Sequence, residues 1–339
     1  MNIIDPNLTF KHSIRKENGL DIITVKRSDG FKVVLTDLGA SVYEVYFNNR
    51  LMTLTPKYLT DFKNPKIYHV KTIGRYANRI KDAKLFVAGQ IFNLDPNEGK
   101  NTLHSGSMGF SNRYFEYEFR ETENYFAVVF KYISPDLEAG FPGEMDIKVA
   151  YLFHKLTFAN FQILFEAKTS YETVFRPTNH TYFTLGNDSI EDVGLYIGSD
   201  RYVIPGKDDL LPKRMEKIPP ELDFDSNCYA IKKAFTSKAL LDSKAHGIDH
   251  YFRFKNNDNQ AAPIILLTDK HTSLTIHTNF DGVHIYSDNY EDGIIYKNTK
   301  KKVHRGLAIE PCDSPLKQNI LKPGEIFHKG VFYFFHEVE

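Results

Sequence analysis

Residues 145–154, MDIKVAYLFH, place Met145, Ile147, Val149, Tyr151 and Phe153 on one side of an extended chain and Asp146, Lys148, Ala150, Leu152 and His154 on the other. A few positions later Phe161, Ile163, Phe165 and Ala167 alternate with Gln162, Leu164, Glu166 and Lys168. A period of two is the signature of strands with one face in a core. Tyr125 to Ile133 is a more continuous apolar run, which predicts a strand buried on both faces. Working outward, Phe31–Leu35 and Ser41–Phe47 read as strands on either side of the turn-prone Leu38-Gly39-Ala40, and Leu274–Thr278, Val283–Ser287 and Val331–His336 continue the pattern. Thr236–Ala245 is the best helical segment, and it is barely long enough to be one. The 27 Phe and 20 Tyr suit strands. These readings predict an all-β protein, a single large and mostly antiparallel β-sandwich over residues 1–339.

Composition narrows the function classes. Lys plus Arg and Asp plus Glu both total 43, so nothing in the net charge points to nucleic acid or an anionic membrane as a partner. Cys228 and Cys312 are too few for a disulfide framework and wrongly spaced for a zinc site, as expected of a reducing compartment. No apolar run has the length of a signal peptide core or a membrane span, so a cytoplasmic protein is expected.

Chemistry-bearing residues collect at strand boundaries. RPTNHTYFTLG, residues 176–186, holds His180 between short polar residues and an apolar anchor of Tyr182, Phe183 and Leu185, with Pro177 opposing a helix. Histidine is the side chain best suited to moving protons near neutral pH, although a single His among polar neighbours is more often a surface or satisfied core residue. Asn78 and Arg79 lie in GRYANRI, where the Arg fork suits several hydroxyls or a buried ion pair. His104 lies in the glycine-bearing loop NTLHSGSMGF. Glu310, in LAIEPC, must face a polar cleft or have a dedicated partner, because an unpaired buried carboxylate is costly. Asp249, in HGIDHYF, is a second such carboxylate, or else an Asx turn or a salt-bridge partner. His104, His180, Asp249 and Glu310 suit zinc by type, but no HxH or HExxH spacing joins them, and GxSxG, GxGxxG and P-loop signatures are missing.

GRYANRI, NTLHSGSMGF, SPDLEAGFPG, PTNHTYFTLG, GIDHYF and LAIEP stand in an order that resembles the aldose 1-epimerase (galactose mutarotase) family, over about Gly39 to Glu325. The resemblance implies a galactose mutarotase-like β-sandwich with a sugar cleft on one sheet, and interconversion of the α and β anomers of a free aldose such as galactose or glucose, with no metal or organic cofactor. It implies Glu310 as general base on the anomeric hydroxyl and His180 as general acid on the ring oxygen. Arg79, His104 and Asp249 would grip other hydroxyls, with Asn78 and Tyr182 as weaker carry-overs. His284 stands where the family often has a sugar-binding Gln, Ser105 where a Gly is usual, and Cys312 in a shortened final motif. All three are expected at the cleft rim.

Other readings remain open at this stage. They are a maltose epimerase, a hexose-6-phosphate 1-epimerase using the run Lys300, Lys301, Lys302, His304 and Arg305, a glycoside hydrolase built on Asp249 and Glu310, and a non-catalytic sugar-binding protein. The expected partner is a free sugar, and the expected assembly is a monomer or homodimer.

Overall fold

The computed structural model describes residues 4–225, 229–255 and 265–338. Its strands form a five-stranded, a six-stranded and a nine-stranded sheet with several two-stranded ribbons, and every named strand pair is antiparallel. Met145–His154 sits inside the nine-stranded sheet between Tyr125–Ser134 and Ala159–Thr169. Its Met145, Ile147, Val149, Tyr151 and Phe153 are all buried, as are Phe161, Ile163, Phe165 and Ala167 of the next strand. The outer face carries cross-strand charge, with Lys148 opposite Glu166 and bonded to it at 2.8 Å. One continuous core draws on all three sheets, including Val33 and Val42 from the first, Phe161 and Tyr333 from the largest, and Ile285 and Ile309 from the six-stranded sheet.

Phe327–Glu337, the strand latest in sequence, pairs with Ala159–Thr169 on one side and Thr272–Thr278 on the other, in the interior of the nine-stranded sheet. Among the described residues, no helix is long and apolar enough to cross a membrane.

Two sequence expectations need correction. Thr236–Ala245 gives only the single turn Lys238–Leu241, preceded by the 3₁₀ turn Ile231–Thr236. The turn ends where the Ser243 hydroxyl and backbone N–H both donate to the Leu240 carbonyl and the Lys244 N–H turns to the Lys207 carbonyl instead. Tyr125–Ser134 is buried on both faces only over Phe126–Phe130, and Ile133 is exposed. The run Phe86 to Phe92 is a hairpin, Lys84–Val87 with Gln90–Asn93, that leaves the opposed Phe86 and Ile91 in solvent. Cys228 lies outside the described residues.

Candidate active site

The cleft floor is one face of the six-stranded sheet. In Leu307–Cys312, strand alternation sends Leu307 and Ile309 into the core and Ala308 and Glu310 to the other face. Register then aligns two rows. Tyr182, Ala308, Tyr286 and Asp249 are successive partners across four strands, and Glu310, His284 and Tyr251 are the next row. Gly282 closes the floor beyond, where a Cβ would sit 2.2 Å from the Tyr251 hydroxyl. Loops complete the cleft, whose open volume is about 250 Å³. Its walls include Tyr68, Asn78, Arg79, Glu98, Leu103, His104, His180, Leu210 and Tyr290.

His180 lies between the short strands Thr178–Asn179 and Tyr182–Phe183, so the 176–186 segment is extended as its proline suggested. Its backbone N–H donates to the Lys71 carbonyl and its carbonyl accepts from Val70 N–H, both at 2.9 Å. Its side chain enters the cleft with Nε2 3.3 Å from Glu310 Oε1. Both side chains are buried, and burial acts on them in opposite directions. It lowers His180 to about 3, with His284 adding to the effect, and raises Glu310 to about 8, with the Asp249 charge adding to it.

Asp249 begins the strand Asp249–Phe254 and is not an Asx turn. Burial alone would raise its pKa, but the 2.6 Å bond from His284 Nε2 and the nearby Arg79 hold it at about 2. Asn78 Nδ2 lies 3.2 Å from His284 Nδ1. The two contacts fit one chain of donation, in which Asn78 donates to His284 Nδ1 and His284 Nε2–H donates to Asp249. Two carboxylates on one floor are thus driven far apart in proton affinity, which is how a site separates an acid–base group from a fixed charge.

Arg79 does not offer an open fork. Its Nε and one terminal nitrogen bind Glu98 at 2.7 and 2.9 Å, while the other terminal nitrogen lies 3.8 Å from Asp249. Both readings of this residue therefore hold in part: it is an ion-pair partner and it borders the cleft. His104 (φ 52), Ser105 (φ 67) and Gly106 (φ 75) take left-handed backbone in succession, a conformation that is uncommon outside glycine. This bend turns His104 inward. Its Nδ1 accepts from the Asn78 backbone N–H at 3.2 Å, so the uncharged ring carries its proton on Nε2 as a donor. Burial, followed by the neighbouring His180 and Arg79, keeps its pKa well below the ordinary value.

Of the three residues expected at the rim, only His284 lines the cleft, and it does so on the floor. Ser105 is buried, where its hydroxyl accepts from Tyr76 N–H at 2.7 Å and faces the Tyr76 carbonyl at 3.1 Å. Cys312 is buried with its Sγ 3.1 Å from an Arg176 nitrogen. Ser105 thus braces the Tyr76 backbone, and Cys312 contacts the buried Arg176 side chain. The basic run 300–305 is also displaced from the cleft: Lys302 pairs with Glu291, His304 stacks on Phe235, and Arg305 is buried against Asp288 and Asp292.

Sequence reasoning missed Glu98, Tyr68, Tyr286, Tyr290 and Leu210. Tyr286 was recoverable, since in GVHIY it is two positions from His284 and must share its face. Nothing local marks Glu98, whose role depends on the loop bringing it to Arg79.

Comparison with known proteins agrees with this architecture. The family model described as Aldose 1-epimerase matches residues 21–334. The chain is 30% identical over 301 residues to the aldose 1-epimerase of Haemophilus influenzae, covering 85% of each protein. It is 27% identical over 328 residues to the galactose mutarotase of Mus musculus, covering 91% of this chain and 92% of that one. Its fold superimposes on a galactose 1-epimerase structure from Lactobacillus acidophilus with a TM-score of 0.86 at 24% identity, covering 99% of this chain and 100% of the other.

Proposed function

Because the chain belongs to the aldose 1-epimerase family, whose members interconvert the α and β anomers of aldoses, we propose that Glu310 and His180 carry the two proton transfers of that reaction here. One observation carries the assignment: the two groups face each other at 3.3 Å in one cleft, with burial acting on their proton affinities in opposite directions.

Between about pH 3 and about pH 8 the pair holds a single proton, which rests on Glu310 while the cleft is empty. A sugar placed with its O1 hydroxyl on Glu310 and its ring oxygen on His180 favours the other distribution. The hydroxyl donates to an ionised carboxylate and the ring oxygen accepts from a protonated imidazole. Glu310 then removes the O1 proton as His180 protonates the ring oxygen, the C1–O5 bond breaks, and C1 becomes the aldehyde carbonyl. Glu310 is left protonated and His180 uncharged, the same distribution that burial prefers in the empty cleft. The protein environment therefore favours the ring-opened state relative to the closed one, a differential interaction of the kind that accelerates a reaction. Rotation about C1–C2 presents the other carbonyl face. Glu310 returns its proton to O1, His180 takes the hydroxyl proton of O5, and the ring closes as the other anomer.

Asp249, Arg79, Asn78 and the Nε2–H of His104 supply fixed donors and acceptors for the remaining hydroxyls, while His284, with both nitrogens engaged by Asn78 and Asp249, holds that set in place. Tyr286 offers apolar surface to the sugar ring, and Tyr182, stacked by His180 and His69, borders the cleft by its edge. The cleft is small beside the ~300–1,000 Å³ of sites for drug-sized ligands, and suits a single free aldose.

The test is polarimetry of freshly dissolved α-galactose and α-glucose with wild type, Glu310→Gln and His180→Asn. Each variant should lose about 10²- to 10⁴-fold in kcat. Either variant relaxing the sugar as fast as wild type would remove that residue from its role.

A further inference from the structure

His180 is anchored in an uncommon way for a proton-transfer histidine. Its Nδ1 is buried with no hydrogen-bond partner among the described residues, so no carboxylate or carbonyl orients the ring from behind. Ring faces hold it instead. Tyr182 stacks on it at 5.0 Å and 23°, Tyr68 lies 6.4 Å away on a near-parallel plane, and His104 meets it edge-on at 5.2 Å.

Tyr182 is the closest of these supports, and it is backed in turn. His69 covers it at 4.1 Å and 12°, the tightest parallel contact around the site. His69 is itself fixed: the Tyr296 hydroxyl donates to Asp292 at 2.5 Å, so it receives the His69 Nε2–H at 3.1 Å. His69 Nδ1 is then a bare buried acceptor, and burial keeps the ring uncharged, with its pKa lowered to about 3. His69, Asp288 and Asp292 also bring ligand atoms within 4.8 Å of one another, but Arg305 already spans both carboxylates at 2.8 and 2.9 Å, which opposes a cation there. The same turn grips the His180 backbone through Val70 and Lys71, and Val70 adopts φ 61, a costly conformation for a β-branched residue. A strained turn is thus kept in place with an aromatic ring pressed behind Tyr182.

We propose that His69, which does not line the cleft, is a positioning residue. Its ring face backs Tyr182 and so keeps His180 Nε2 directed at Glu310 and the sugar ring oxygen. The work is done by the flat ring and not by proton exchange. This rests on His180 being the acid of the reaction.

The test measures kcat and KM for mutarotation by wild type, His69→Ala, His69→Phe and His180→Asn, with circular dichroism and thermal melts to check folding. His69→Ala should lose at least about tenfold in kcat with KM within about twofold of wild type, since displacing a reacting group by ~1 Å costs up to ~10². His69→Phe keeps the flat ring and drops the bond to Tyr296, and it should recover most of kcat. A wild-type kcat in His69→Ala, a change confined to KM, or a His69→Phe as slow as His69→Ala would each overturn the proposal. If His69→Ala does not fold, His69→Phe alone decides, because a slow but folded His69→Phe refutes support by the ring face. An active His180→Asn would instead refute the role of His180 itself, which separates the two failures.

Discussion

Replacing Glu310 by Gln should make the protein less active and, in alkaline solution, more stable. Burial raises the Glu310 pKa from 4.5 to about 8. A raised folded-state pKa means that the native protein holds a proton the unfolded chain has already released. The stability so contributed is fully present below pH 4.5 and is lost as pH rises through about 8. At about 1.4 kcal/mol per unit, this shift corresponds to a charging cost of up to about 5 kcal/mol above pH 8. Water entering the open cleft reduces that figure, so a few kcal/mol is the practical expectation. Gln is isosteric and never ionises, so the stability of Glu310→Gln relative to wild type should climb between pH 5 and pH 9. Urea unfolding of both proteins at pH 5, 7 and 9 measures it, because subtracting the two curves removes every titration they share. Midpoints that keep a constant separation across this range would refute the claim that Glu310 is buried at the expense of its charge. The activity loss is a separate readout and would not rescue that claim.

The kcat/KM of mutarotation should follow a bell, because the pair is competent only while it holds one proton. Its alkaline limb should fall near pH 8, where Glu310 gives up its proton and none remains for His180, and its acid limb should lie far below pH 6.5. A stopped-flow polarimetric profile with an alkaline limb above pH 10 would contradict this. Lys71 is fully buried with no hydrogen-bond partner for Nζ among the described residues, and burial lowers its pKa to about 7. Lys71→Met should therefore raise the melting temperature, and the gain should grow as pH falls from 10.5 toward 7, where the unfolded chain binds a proton that the native amine resists.

Much of the core was legible because burial on one face writes itself as alternation. Met145 through Phe153 and Phe161 through Ala167 occupy the faces their spacing dictates. Phe10–Glu17 carries no such code, since nearly all of it is exposed and only pairing with Leu20–Arg27 makes it a strand. At the site, Asn78, Arg79, His104, His180, Tyr182, Asp249, His284 and Glu310 all line one cleft, as their collinear motifs led one to expect. Motifs report residue types and not partners, so they could not show that Glu98 occupies two of the Arg79 nitrogens. They also could not show that Ser105 and Cys312 face inward. The face of His69 against Tyr182 joins residues over a hundred positions apart, and no local pattern encodes it.

The interior position of Phe327–Glu337 in the nine-stranded sheet bears on how the protein is made. A ribosome delivers this strand after both of its neighbours, Ala159–Thr169 and Thr272–Thr278. Until it emerges, the nascent chain holds two partial sheets, each with an open edge of unpaired amides and apolar side chains. Closure is then a late and non-local event, slow by the measure of contact order. Expression yield should therefore respond to chaperone supply and to mutations in this strand more sharply than equilibrium stability alone would suggest.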